Sequence, residues 1–72
     1  MEMKPVTSSQ IESIGHDPAT NTMAIKFKGG GLYHYANVKP EQHQQLLGAE
    51  SIGSHFGKNF KKNSSHPYTK IS

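Results

Sequence analysis

Neither cysteine nor arginine occurs among the 72 residues of this chain. Without cysteine there are no disulfides and no thiolate-bound zinc, a composition that fits a reducing compartment. Without arginine, all eight basic residues are lysine. A reader of base sequence leans on arginine, whose planar fork matches guanine edges and phosphates, whereas lysine supplies point charge. The composition therefore argues against base-specific readout and leaves room for looser attraction to phosphate. No apolar run approaches the roughly 20 residues of a membrane-spanning helix, and the polar N-terminus does not read as a signal peptide. A soluble cytoplasmic protein with no membrane partner is expected.

The reactive inventory is equally thin. The acidic residues are Glu2, Glu12, Asp17, Glu41 and Glu50, and they form no cluster. The five histidines His16, His34, His43, His55 and His66 contain no i, i+4 pair of the kind that grips zinc from a helix. Ser54 and His55 are neighbours, and adjacent positions on a helix do not face each other. No Gly-Lys-Ser/Thr sequence marks a phosphate-binding P-loop. Neither catalysis, nor a metal, nor a cofactor is expected.

The length allows one small domain, near the margin of stability because so little surface can be buried. It spans residues 1–72, with a core over about 6–62 and a tail over 63–72 that is either a short extra strand or a frayed end. Pro5 argues against a helix in the lead-in. Ser8 to His16 reads as a strand with imperfect alternation, and Gly15 marks a bulge or a close backbone contact. Asp17-Pro18-Ala19-Thr20-Asn21 is a turn. Thr22 to Lys28 is the clearest strand, with Met23, Ile25 and Phe27 alternating against Ala24, Lys26 and Lys28. Gly29-Gly30-Gly31 supplies the next turn, and Leu32 to Val38 returns as a third strand. Pro40 and Glu41 suit a helix start and Gly48 its end, with His43, Leu46 and Leu47 on one stripe. Ser51 caps a second helix over Ile52 to Lys62, whose apolar stripe is Ile52, Phe56 and Phe60. The expected fold is α+β, a three-stranded antiparallel β-meander followed by two short α-helices packed on one face.

Four features are candidates for binding. Tyr33 and Tyr35 lie two apart on a strand and so share a face, either as one wall of the core or as a platform for a flat ligand. Gly53 and Gly57 lie four apart, and two glycines inside a helix cost about 1 kcal/mol each relative to alanine, which suits a place where something approaches closely. Ser51, Gly53, Ser54 and His55 gather hydroxyls, an imidazole and backbone N–H groups at the start of that helix, as an anion site does. Lys58, Lys61 and Lys62, with Lys70, form a basic end that is either a solvated helix face or a means of recruiting phosphate. His43 reads as a half-buried helix residue and His66 as a surface loop residue.

The order of motifs resembles the KTSC domain, named for an extension at the C-terminus of some lysyl-tRNA synthetases and found also in small free-standing bacterial and phage proteins. The matching residues are Ser8-Ser9-Gln10-Ile11, Ile14-Gly15-His16-Asp17, Gly31-Leu32-Tyr33-His34-Tyr35, Val38-Lys39-Pro40 and Ala49-Glu50-Ser51-Ile52-Gly53-Ser54-His55-Phe56. The resemblance covers about Val6 to Phe60. It implies a domain linked with RNA binding and brings no catalytic residues. This chain departs from the pattern at His16, where a tyrosine is common, and at His55-Phe56-Gly57, where Tyr-Phe-Asn is common.

The leading expectation is a non-enzymatic binding module for RNA or another phosphate-bearing ligand, using Tyr33, Tyr35 and the lysines of the second helix. The alternative is an oligomeric phage- or prophage-type protein that sequesters a nucleotide signal or blocks a host protein, with sites at Gly53, Ser54 and His55. A protein–protein adaptor is the third. Two sheet edges and a small core favour a homo-oligomer.

Overall fold

A computed structural model describes residues 2–61 and 65–72. Five strands form one antiparallel sheet in sequence order: β1 Met3–Pro5, β2 Ile11–Asp17, β3 Thr22–Phe27, β4 Leu32–Tyr35 and β5 Tyr68–Lys70. Helix α1, Pro40–Leu47, and helix α2, Ile52–Phe56, follow β4, and α2 runs on into a π-helical turn over Gly57–Lys61. The three-stranded meander expected above is therefore corrected to a five-stranded sheet. The two added strands have three residues each, too few to show a period-two pattern. They are made by backbone pairing to the sheet edges, Met3 to Pro5 against Gly15 to Ser13 and Tyr68 to Lys70 against Tyr35 to Tyr33. Pro5 rules out a helix but not an edge strand, where its missing N–H is harmless.

The ragged alternation in β2 has a physical cause. Ile11 pairs with Phe27 and Ser13 with Lys26, so Glu12 is an extra residue, a β-bulge. The bulge puts Ile11 and Ile14, three apart, on the same face, where they are 0% and 1% exposed. Of the two readings of Gly15, a bulge or a close backbone contact, the bulge is excluded, because Gly15 pairs regularly with Ala24.

The turns follow their residues. Ala19 donates to the Asp17 side chain at 3.0 Å, and Asn21 takes a φ of 53° at the end of that turn. Gly30 sits at φ 104°, closing the β3–β4 hairpin. Pro40 opens α1, and the backbone N–H of Lys39 donates to the Gln42 side chain at 2.9 Å. Both helices pack on one face of the sheet. Leu46 from α1 and Phe56 and Phe60 from the second helix join Ile11, Ile14, Met23, Ile25, Tyr35 and Val38 in one core. The π-helical turn replaces the last part of the α-helix expected to reach Lys62.

His66 is the opposite of a surface loop residue. It is buried, its Nδ1 lies 3.1 Å from the Ala36 carbonyl oxygen, and its ring packs 5.0 Å from that of Phe60. With the Ala36 N–H donating to the Pro67 carbonyl at 2.9 Å, it fixes the segment that leads into β5.

His43 lies where α1 crosses the sheet. Its ring stacks on His16 with centroids 4.9 Å apart and planes 14° from parallel, and its buried Nε2 has no hydrogen-bond partner among the described residues. The His16 Nε2 bonds the Val38 carbonyl. Burial first, then His16 and Lys4, hold the His43 pKa below its ordinary 6.5. The unfolded chain thus takes up a proton near pH 6.5 that the folded chain takes up only at lower pH. Stability is expected to fall as pH drops from 7.5 through this window, and His43→Phe should flatten that slope. Thermal melts of both proteins across about pH 7.5 to 5 test this; an equally steep loss in the variant assigns the acid sensitivity to other groups.

Candidate ligand groove

The two tyrosines of β4 answer the question of faces. Tyr33 pairs with Ile25 and Tyr35 with Met23, so both share the helix-covered side of the sheet, and His34 turns to the other. Tyr35 is core, 3% exposed, with its ring edge-on to Phe56 at 5.2 Å and 90°. Burial, followed by the proximity of Tyr68 and Tyr33, raises the Tyr35 phenol pKa above 10.0. Tyr33 is half-buried and meets Phe27 edge-on at 5.6 Å and 82°. Tyr68 of β5 lies 5.6 Å from both Tyr33 and Tyr35 and is 60% exposed. Sequence reasoning missed it as a site residue, because the pairing that brings it to β4 joins residues some thirty positions apart and leaves no local signal.

These rings border a recess of about 400 Å³, completed by Gly29, Gly31 and Lys61. Gly31 has a steric reason to be glycine. A methyl there would stand 2.9 Å from Cε1 of Tyr33 and would displace the ring.

A second recess, of about 740 Å³, lies between the segment before β2 and the start of α2. It is rich in hydroxyls, from Ser8, Ser9, Ser51 and Ser54, with Lys28 and Glu50 also lining it. Ser51 caps α2, its Oγ accepting from the Ser54 N–H at 3.4 Å. The Ser8 Oγ accepts from the N–H groups of Gln10 and Ile11.

A third hollow, of about 340 Å³, joins the other two. It shares Gln10, Gly53 and Ser54 with the hydroxyl-rich recess and Phe27 and Lys61 with the aromatic one, and adds Gly57 and Lys58. The three hollows share walls and lie in a row beside the second helix, a row termed the groove. It has a hydroxyl-rich end, a middle lined by Gly53, Gly57, Lys58 and Lys61, and an aromatic end.

This groove brings together Tyr33, Tyr35, Ser51, Gly53, Ser54, Lys58 and Lys61. His55 stands apart: it lines none of the three hollows, and its half-buried ring lies 6.3 Å from Phe60. Lys62 lies outside the described residues. The helix that was to offer an anion site at its N-terminus has five α-helical residues, and its Ser54 N–H is already taken by the cap. Among the described residues no three His, Cys, Asp or Glu side chains gather to hold a metal, and no helix is long and apolar enough to cross a membrane.

The glycines have a structural reading as well. A methyl on Gly57 would meet nothing within 4 Å, and one on Gly53 would touch the Ser8 Oγ at an ordinary 3.5 Å. Among the described residues nothing requires glycine at these positions, but a methyl on either would narrow the groove. Gly57→Ala and Gly53→Ala are therefore expected to raise stability, each by up to about 1 kcal/mol, while weakening ligand binding. Melting temperature and RNA affinity measured on the same samples check this; variants that melt higher and bind as the parent does would make the glycines incidental.

A family model described as KTSC domain matches residues 7–63. The chain is 51% identical over 51 residues to a protein of Tsukamurella paurometabola, covering 71% of this chain and 76% of that one. It is 36% identical over 59 residues to a lysine–tRNA ligase of Nostoc punctiforme, covering 82% of this chain but 10% of the ligase. A crystal structure of a KTSC domain protein from Yersinia pestis superposes with a TM-score of 0.91 at 35% identity, covering 99% of this chain and 97% of that one.

Proposed function

This chain belongs to the KTSC domain family, and we propose that it acts as a non-enzymatic binding module that holds single-stranded RNA in the groove beside its second helix. The observation that carries the reading is the row of adjoining hollows, with aromatic rings at one end and lysines along its middle. A single strand presents the same sequence of chemistries, flat bases joined by regularly spaced phosphates. Binders of this kind combine a positive track with rings on which bases stack, and they read little sequence. Lysine without arginine suits that mode. The lysine–tRNA ligase relative gives independent support, since a segment like this one is carried by a protein named for its action on tRNA.

The test is fluorescence anisotropy with a labelled RNA oligonucleotide, repeated from about 50 to 200 mM salt, where each phosphate contact on a single strand steepens the salt slope by about 0.7. Affinity is expected to fall steeply with salt. The single strand should bind more tightly than a duplex of the same sequence, because paired bases cannot stack on protein rings. Failure to bind at low salt overturns the reading. Binding of another protein, insensitive to salt, would point instead to an adaptor.

A further inference from the structure

Four rings border the aromatic end of the groove, but they do not offer equal faces. Tyr35 is sealed in the core at 3% exposure. Tyr33 is half-buried and hemmed in by Phe27 and Tyr68 at 5.6 Å each. Phe27 is likewise half-buried, between Tyr33 and Phe56. Tyr68 alone keeps most of its surface, 60% exposed, while its ring meets Tyr33 at 64° and Tyr35 at 37°, each with centroids 5.6 Å apart. A ring that touches two others and leaves most of its residue open to solvent is held in place and still able to stack.

The charges around it are placed to match. Lys70 is two residues further along β5, on the same face as Tyr68, and is exposed. Lys61 lines the same recess as Tyr68 and is exposed. The open aromatic surface thus shares its strand face with Lys70 and its recess with Lys61. A flat base that carries phosphate needs this set of groups: a ring to lie on and positive charge within reach of its phosphates.

We propose that Tyr68 is the stacking residue of this domain, and that with Lys61 and Lys70 it forms a subsite for one nucleotide, held by its base. This rests on the groove reading above and adds to it that the last strand, rather than the β4 tyrosines, supplies the base contact. The anchoring of that strand by His66 then gains a use, since it fixes the stacking ring relative to the lysines.

The experiment uses Tyr68→Leu, which keeps an apolar side chain over Tyr35 but has no aromatic face, and Tyr68→Phe, which keeps the face. RNA affinity is measured by anisotropy at several salt concentrations, with 2-aminopurine placed at successive positions of the strand to report stacking. Melting temperature is followed in parallel. The parent and Tyr68→Phe are expected to quench 2-aminopurine and bind alike. Tyr68→Leu should bind roughly tenfold to a hundredfold more weakly and lose the quenching, with its salt slope and melting temperature unchanged. Adenosine monophosphate in place of the strand distinguishes the source of the nucleotide: Tyr68-dependent binding of the monophosphate alone assigns a free nucleotide, and binding of the strand alone assigns RNA. If the parent binds RNA with a steep salt slope and Tyr68→Leu binds equally well, the subsite is wrong and the groove stands. If the parent binds neither RNA nor the monophosphate, both readings fall.

Discussion

Replacing Tyr35 with alanine is expected to cost about 3–5 kcal/mol, the range for truncating a large buried aromatic. Its ring packs edge-on against Phe56, and its strand neighbours Met23 and Tyr68 flank it on the same face of the sheet. A domain of 72 residues holds in total on the order of 4–11 kcal/mol, taking about 0.05–0.15 kcal/mol per residue. The variant should therefore melt far below the parent or fail to fold at ambient temperature. Tyr35→Phe keeps the ring contacts and should melt close to the parent. Circular dichroism melts of the three proteins check this, and a cooperative alanine-variant melt within a few degrees of the parent would place the ring outside the core.

The second large effect falls on binding. Lys58 and Lys61 are exposed and line the middle of the groove, with Lys61 also reaching the aromatic end. Reversing both to glutamate removes two sites of phosphate attraction and adds two of repulsion. RNA affinity is expected to fall by about tenfold or more, and the salt slope to lessen by about 0.7 for each lysine that contacts a phosphate. Stability should change by no more than about 0.5 kcal/mol, since neither side chain is buried. The measurement is the salt series already described, run on Lys58→Glu/Lys61→Glu. An unaltered affinity and slope would remove phosphate recruitment by this helix.

These outcomes also mark what the sequence made visible. Met23, Ile25 and Phe27 alternate cleanly, so β3 and its buried face were legible. Phe56 and Phe60 at helical spacing pointed to the second helix and its inward stripe, although not to its change into a π-helical turn. The strand β1 was hidden, and β5 stood only as one of two readings of the tail, because three residues cannot show a period and because an edge strand is made by its partner's backbone. His66 and Tyr68 were hidden for a related reason. Their environments are built from Ala36, Phe60, Tyr33 and Tyr35, distant along the chain, so local polarity marked the one as a loop residue and left the other uninterpreted. For the candidate site, residue types were readable and their convergence was not. Lysines, serines and tyrosines were named from three separate segments, and it took the packing of the second helix along the sheet to line them up, leaving His55 aside.

The extra residue in β2 has a consequence for how stability and binding divide. Deleting Glu12 would leave Ile11 opposite Phe27 and Ser13 opposite Lys26, now in an unbroken ladder, so the inward faces of Ile11 and Ile14 survive. The bulge adds a residue without changing which side chains the core buries. What changes is the course of the chain just before it. A bulge bends its strand and increases local twist, and the Glu12 carbonyl also accepts the Val6 N–H at 3.2 Å. Val6, Ser8, Ser9 and Gln10 form one bank of the groove, so a straightened strand would swing that bank relative to α2. Glu12 thus bears on where that bank stands rather than on which side chains the core buries.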